Sequence, residues 1–368
     1  MSEKSIKKLS IKGFKSIKNL EDFSMRNLNI LIGPNGSGKS NFISYFSMMK
    51  ELLNGRLQLW TSKQGNADRV VSFGIEETDS IESEVEFPFG SYKFRIEATV
   101  AKKFSFTEEN FSSFCEQLNP YFFLGAGYGE STLKKGKSKK IEKTIFQAVW
   151  DTMSGWMIYH FHNTNDRAPI KRGGNPYDNE YLRPDGENLA AFLYMLSRHE
   201  SDVYEQIRDT VRLAIPFFED FVLRPEELKN GESFINLHWR QKDSDYILWP
   251  HQLSDGSIRF IGLVTALLQP NPPSTIIIDE PEIGLHPYAI TLLAALLQSA
   301  STRMQVIAST QSVDLVNEFS IDDLVIVERE EGATVFRREE EKDFEMWLDQ
   351  YTVGELWERN ILGGRPSK

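Results

Sequence analysis

The sequence predicts an α/β protein built on a mainly parallel sheet, and three observations predict it. An apolar run, Leu28-Asn29-Ile30-Leu31-Ile32, stops abruptly at Gly33 and gives way to a helical pattern through about Leu53. Near the C-terminal end, helix 258–268, strand 275–278, helix 288–300, strand 306–308, helix 313–319 and strand 324–327 follow one another. Such alternation builds a parallel sheet covered on both faces. Between 70 and 106 the pattern changes to short stretches such as Tyr92-Lys93-Phe94-Arg95-Ile96-Glu97-Ala98, which is antiparallel patterning with one wet face.

The remaining elements fit around these. Residues 6–14 alternate loosely as a strand, 141–153 carry helical spacing, and 156–162 form a candidate strand. Residues 163–185, rich in Asn, Asp, Gly and Pro, predict a long ordered loop before an amphipathic helix at 188–196. The expected divisions are an N-terminal lobe (1–55), an antiparallel β subdomain (56–115), a helical and loop insert (116–245), a C-terminal lobe (246–335) and a tail packed on the core (336–368). Trp347, Tyr351, Leu356 and Trp357 are the tail residues expected to pack. No internal repeat appears, and the insert holds no sustained heptads, which excludes a long coiled coil.

Composition limits the function classes. The chain has 368 residues, 40% hydrophobic and 26% charged, ordinary proportions for a globular protein with a large core. A net charge of −11 argues against broad nonspecific nucleic-acid binding by the whole surface. The single cysteine, Cys115, cannot form an internal disulfide, and it fits a reducing compartment. The first residues hold no signal-like apolar stretch, and no apolar run approaches the ~20 residues that span a bilayer. A soluble, cytoplasmic protein without membrane contact is expected.

Gly33-Pro34-Asn35-Gly36-Ser37-Gly38-Lys39-Ser40 satisfies the phosphate-binding loop pattern, G-x-x-x-x-G-K followed by Ser or Thr, at every required position. Its glycines let backbone N–H groups converge on phosphate oxygens. Lys39 supplies a cation to the β- and γ-phosphates, the Ser40 hydroxyl can ligate Mg²⁺, and the helix that follows through Asn41 adds its positive end. ATP with Mg²⁺ is the expected ligand pair.

The second motif, Thr275-Ile276-Ile277-Ile278-Asp279-Glu280-Pro281, sets two acids at the carboxyl end of a buried strand, where open α/β sheets bind ligands. Asp279 is the candidate for the Mg²⁺ shell, and Glu280 for the general base. Third, Leu253-Ser254-Asp255-Gly256-Ser257 precedes an apolar helix. Alone it is a capped helix start. Beside a phosphate-binding loop, it is also a second anion site, which suggests a nucleotide held between two subunits.

In this order, the three motifs resemble the ATP-binding-cassette ATPases, and within them the RecF/SMC/OLD-like branch often labelled AAA-type. Lys12-Gly13-Phe14-Lys15-Ser16-Ile17-Lys18-Asn19 and Gly284-Leu285-His286-Pro287 are typical of that branch. Tyr159-His160-Phe161-His162-Asn163, the segment from Leu182 to Leu189, and the tail through Gly363-Gly364-Arg365-Pro366 resemble short stand-alone bacterial ATPases over nearly the whole chain. The resemblance implies a head built from two lobes around a nucleotide, and a head-to-tail ATP dimer. Ser254 and Gly256 would then face the γ-phosphate on the partner's loop, with residues 284–286 along the seam. Gln311, in Ala308-Ser309-Thr310-Gln311-Ser312, would sense γ-phosphate and position water. The glutamine that usually reaches Mg²⁺ from the lobe junction has no obvious counterpart, and His162 or Asn163 is the expected substitute, with loop packing the plainer alternative. His160 and His162 lack companions at metal-ligand spacing.

The basic run Lys134-Lys135-Gly136-Lys137-Ser138-Lys139-Lys140 is a candidate DNA or partner contact, or simply a solvated loop. Three roles compete: a switch in bacterial defence that controls a separate effector protein, a repair ATPase that clamps DNA between dimerised heads, and a transporter motor. The charged N-terminal hairpin argues against the last.

Overall fold

The computed structural model describes residues 4–114, 121–133 and 142–364. Strands β1 (Lys8–Phe14), β2 (Ile17–Ser24) and β3 (Leu28–Ile32) precede helices α1 (Lys39–Leu53), α2 (Leu57–Lys63) and α3 (Ala67–Val70). Next come β4 (Ser80–Phe87), β5 (Gly90–Ala98), β6 (Phe104–Ser113), β7 (Tyr121–Gly125), α4 (Glu142–Ser154) and β8 (Trp156–Tyr159). Helices α5 (Leu189–His199) and α6 (Ser201–Ala214) lead to short strands β9 (Phe218–Val222), β10 (Glu226–Glu227), β11 (Ser233–Phe234), β12 (His238–Gln241) and β13 (Ile247–Leu248). The C-terminal third runs α7 (Asp255–Leu268), β14 (Thr275–Asp279), α8 (Pro287–Ser301), β15 (Gln305–Thr310), α9 (Val313–Val316), β16 (Leu324–Glu330) and β17 (Ala333–Arg337). Two short helices, α10 (Glu345–Leu348) and α11 (Val353–Glu358), follow.

Two large sheets result. One has the order β17-β16-β3-β15-β14-β8 and is parallel except for β17. The other, β2-β1-β4-β5-β6-β7, is antiparallel throughout. Alternation along the parallel strands decides what lies on each face. Leu31, Ile277 and Ile307 face α1 and the antiparallel sheet, whereas Ile30, Ile276 and Val306 face the cluster holding α5, α7 and α8. Helix α1 is apolar around most of its girth, with Phe42, Tyr45, Phe46, Met48, Met49 and Leu52 all buried, because it is sandwiched between the sheets. A helix apolar on every side is a buried helix. Phe42 and Phe46 meet edge-to-face at 5.4 Å, and Phe46 meets Trp156 at 5.2 Å. Burying each such ring contributes about 1.5–3 kcal/mol.

The α/β fold class expected from the sequence is therefore present, with no long coiled coil among the described residues. Two divisions differ from expectation. The antiparallel sheet takes β1 and β2 from before the phosphate-binding loop and β7 from beyond residue 115, so the 55/56 and 115/116 boundaries cut through it. The alternating Leu9 and Ile11 have the same one-sided burial as Ile81 and Val85 on the adjacent β4, and pairing buries both sets together. Likewise β8, inside the expected insert, is an edge strand of the parallel sheet. The insert also contains a small antiparallel sheet, β13-β12-β9, closed by Phe218, Phe221 and Trp239. In the tail, Leu356 and Trp357 are buried and Tyr351 packs at the core edge, but Trp347 is 45% exposed.

Candidate functional site

The phosphate-binding loop joins β3 to α1, and the hairpin β16–β17 braces it from one side. A Cβ on Gly33 would collide with the Val327 carbonyl oxygen, and one on Gly38 with the Thr334 side chain. Both positions also have left-handed φ, +153° and +116°, so glycine is required twice over. Gly36, at φ +79°, has no atom within 4 Å of where its Cβ would be, so its glycine serves backbone shape alone. Thr334 donates to the Ser37 carbonyl at 2.8 Å and shares a hydrogen bond with Ser16 at 2.7 Å, and Asn41 donates to Ser16 at 2.6 Å. The lysine-serine loop between β1 and β2 is thereby tied to the phosphate-binding loop.

At the mouth, α1 begins after Gly38 with no side-chain cap, leaving first-turn N–H groups for an anion. Lys39 is buried and donates to the carbonyls of Gly33 at 2.6 Å and Pro34 at 3.1 Å. Burial pulls its pKa below the ordinary lysine value, opposed by the carboxylates of Glu280, Asp279 and Glu282. An ammonium folded onto its own loop has donors to give a phosphate. The Ser40 hydroxyl donates to Asp279 Oδ2 at 3.4 Å, which brings two hard oxygens together from the first turn of α1 and the end of β14. This pair fits Mg²⁺, which takes few protein oxygens and fills its shell with phosphate and water. Among the described residues, no group of three or more His, Cys, Asp and Glu side chains could hold a metal on its own.

The acid turn follows β14. Asp279 accepts from Ser309 on the adjacent β15. Glu280 has φ +41°, a left-handed conformation that costs a non-glycine residue about 1–3 kcal/mol and clusters at functional sites. Its N–H donates to the Ser309 carbonyl at 3.0 Å. Its carboxylate accepts from the Gln311 side chain. Lys39, Ser40, Asp279, Glu280 and Gln311 thus come together at the carboxyl ends of β3, β14 and β15.

A family model described as "AAA domain, putative AbiEii toxin, Type IV TA system" matches residues 157–317, and one described as "AAA ATPase domain" matches residues 5–170. The fold is similar to an Smc head bound to the C-terminal winged-helix domain of ScpA, with 15% identity over 92% of this chain and 99% of the other and a TM-score of 0.59. It is also similar to the Pyrococcus furiosus Smc head with an extended coiled coil bound to the C-terminal domain of ScpA, with 13% identity over 94% and 98% and a TM-score of 0.55. The two AAA models between them reach from residue 5 to residue 317, and the fold is that of an Smc head. No curated protein matched the sequence.

The fold places the other expected residues as follows. Ser254 caps α7, accepting from the Ser257 N–H at 3.1 Å, and is exposed. Lys171 pairs with Asp255 at 3.2 Å. Gly256 lies directly against the Gly284 carbonyl, leaving no room for a Cβ, so the start of α7 and the loop before α8 form one continuous surface. Arg259, which the sequence did not single out, fastens that surface. Its guanidinium donates to the carbonyls of Phe161 at 3.1 Å, His162 at 3.2 Å and Ile283, and burial lowers its pKa from the ordinary arginine value.

His162 and Asn163 are exposed, and His162 contributes its backbone carbonyl to Arg259 rather than its ring. The residue that continues β8 opposite Asp279 is His160, one step beyond the Tyr159–Ile278 pairing. Burial lowers the His160 pKa; nearby His162 also lowers it, and Asp279 opposes the shift. A cavity of about 680 Å³ opens beside α1, lined in part by Lys15, Ser16, Asn41, Arg69, Lys102 and Arg329. The Lys134–Lys140 run lies outside the described residues. Among the described residues, no helix is long and apolar enough to cross a membrane.

Proposed function

We propose that the chain binds and hydrolyses ATP with Mg²⁺ as an ATP-gated, head-to-tail dimeric switch. The observation that carries this reading is the convergence of Lys39, Ser40, Asp279, Glu280 and Gln311 at one sheet edge. In this reading, Gly33 to Asn41 cradle the phosphates, Lys39 leaves its carbonyls for the β- and γ-phosphates, and the nucleoside enters the cavity beside Ser16 and Asn41. Ser40 and Asp279 would hold Mg²⁺, which would neutralise phosphate charge, and His160 would take the lobe-junction position. Glu280 accepts a proton from the attacking water, while Gln311 orients that water. Ser254 and Gly256 face the γ-phosphate on the partner copy.

The AbiEii description of the matched family supports a role in bacterial defence, with a separate effector protein responding to the switch. Glu280→Gln tests the chemistry. It should retain ATP affinity, lose about 10²- to 10⁴-fold in turnover, and accumulate an ATP-dependent dimer in size-exclusion light scattering. Turnover near the wild-type rate would remove Glu280 from its assigned role.

A further inference from the structure

Glu282 is a third acid in the turn after β14, two residues beyond Glu280, and it is only 8% exposed. Its Oε1 accepts from the Thr310 hydroxyl at 2.5 Å and from the Gln311 N–H at 3.2 Å. Its Oε2 is buried with no hydrogen-bond partner. Burial raises its pKa above the ordinary carboxylate value, and the bonds from Thr310 and Gln311 oppose the shift. A buried carboxylate with an orphaned oxygen is costly, and a shorter apolar residue would fill the space more cheaply. What the acid gains in return is visible in what it touches.

Gln311 is gripped at both ends by one turn. Glu280 accepts from its side chain, while Glu282 accepts from its backbone. The Thr310 hydroxyl passes the connection on, accepting from the Ser312 N–H at 3.0 Å, and Ser312 caps α9 through the Leu315 N–H at 3.3 Å. The Glu282 carboxylate therefore bolts the end of β15 and the start of α9 to the acid turn.

We propose that Glu282 is a positioning residue: it fixes the Gln311 backbone so that the Gln311 side chain can move between Glu280 and the γ-phosphate without the strand end moving with it. This rests on the ATPase reading above. Without the bolt, the Gln311 backbone is free to drift, and a misplacement of ~1 Å near the chemistry costs on the order of 10²-fold.

The test compares Glu282→Ala and Glu282→Gln, each alone and combined with Gln311→Ala, by steady-state ATP hydrolysis. Glu282→Ala should lower kcat by roughly 10- to 100-fold with KM for ATP within about twofold. Glu282→Gln keeps a carbonyl acceptor for Thr310 and Gln311 and should restore most of kcat. In the Gln311→Ala background, Glu282→Ala should cost little more, because the two residues act as a unit. Independent, multiplicative losses, or equal damage from Gln and Ala, would overturn the proposal. Should Glu282→Ala fail to fold, Thr310→Val asks the same question, since it removes the stronger of the two donors; unchanged kcat there would refute the role. A wild-type protein that does not hydrolyse ATP would overturn the ATPase reading instead.

Discussion

Replacing Gly256 by alanine isolates the contact between the start of α7 and the loop before α8. Gly256 has no left-handed φ, so alanine adds no backbone strain there and only the new Cβ matters. That carbon would lie 3.1 Å from the Gly284 carbonyl carbon, with the oxygen nearer still at the end of a bond of about 1.23 Å. Both neighbouring atoms are backbone, so no side-chain rotation relieves the overlap. The two segments must part by on the order of 1 Å to restore van der Waals separation. Overpacking of this kind costs about 1–3 kcal/mol. With an unfolding entropy near ~2 cal/mol/K per residue, that is a fall in Tm of about 1–4 °C for a chain this long. The functional cost is larger. A displacement of ~1 Å at the proposed composite site should lower ATP turnover on the order of 10²-fold, while nucleotide binding to the monomer's own loop persists. Thermal melting and steady-state hydrolysis read the two effects separately. Gly174→Ala, whose Cβ would meet no atom within 4 Å, is the control. Normal turnover and an unshifted melt in Gly256→Ala would refute the close approach and the seam role together.

Two further outcomes are expected. Lys39→Ala should abolish ATP binding in titration calorimetry while the protein still folds, since the lost bonds are to its own loop carbonyls; retained affinity would refute its phosphate role. Ser254→Arg should bind nucleotide as a monomer yet fail to hydrolyse it, and mixing it with Lys39→Ala protein should recover some activity, because one of the two sites in such a dimer carries neither lesion. Normal hydrolysis by Ser254→Arg alone would reduce Ser254 to a helix cap.

The phosphate-binding loop was legible because its signal is local: eight consecutive residues carry the spacing, and the apolar strand before them is continuous. Asp279 and Glu280 were legible for the same reason, standing at the end of a β-branched run. What escaped the sequence depends on packing between distant segments. Nothing near Gly38 in the chain announces Thr334, yet Thr334 shapes the loop beneath it. Glu282 resembles any acid in a solvated turn until Thr310 and Gln311 close over it. Arg259 looks like a charged break in an apolar helix, and only the fold brings three carbonyls to it. Which histidine lies opposite Asp279 could not be read from spacing along the chain, because strand register sets it, and that register points to His160. The strands β9 to β13 are two to five residues long, too short for an alternating pattern to stand out.

These hidden residues share a consequence. The segment from Asp279 to Gly284 holds the candidate metal acid, the candidate base, the Gln311 anchor and the surface against Gly256, all within one turn. Leu285 N–H closes that turn on the Glu282 carbonyl at 3.0 Å, and left-handed backbone at Glu280 and Gly284 shapes its two ends. Only three residues separate Glu280 from the Gly284 carbonyl that meets Gly256. Arg259 extends the same body to the segment after β8 by holding Phe161 and His162. In the proposed dimer, closure of a partner copy on Ser254 would reach Glu280 through this one turn, which carries both the Gly256 contact and the acid pair.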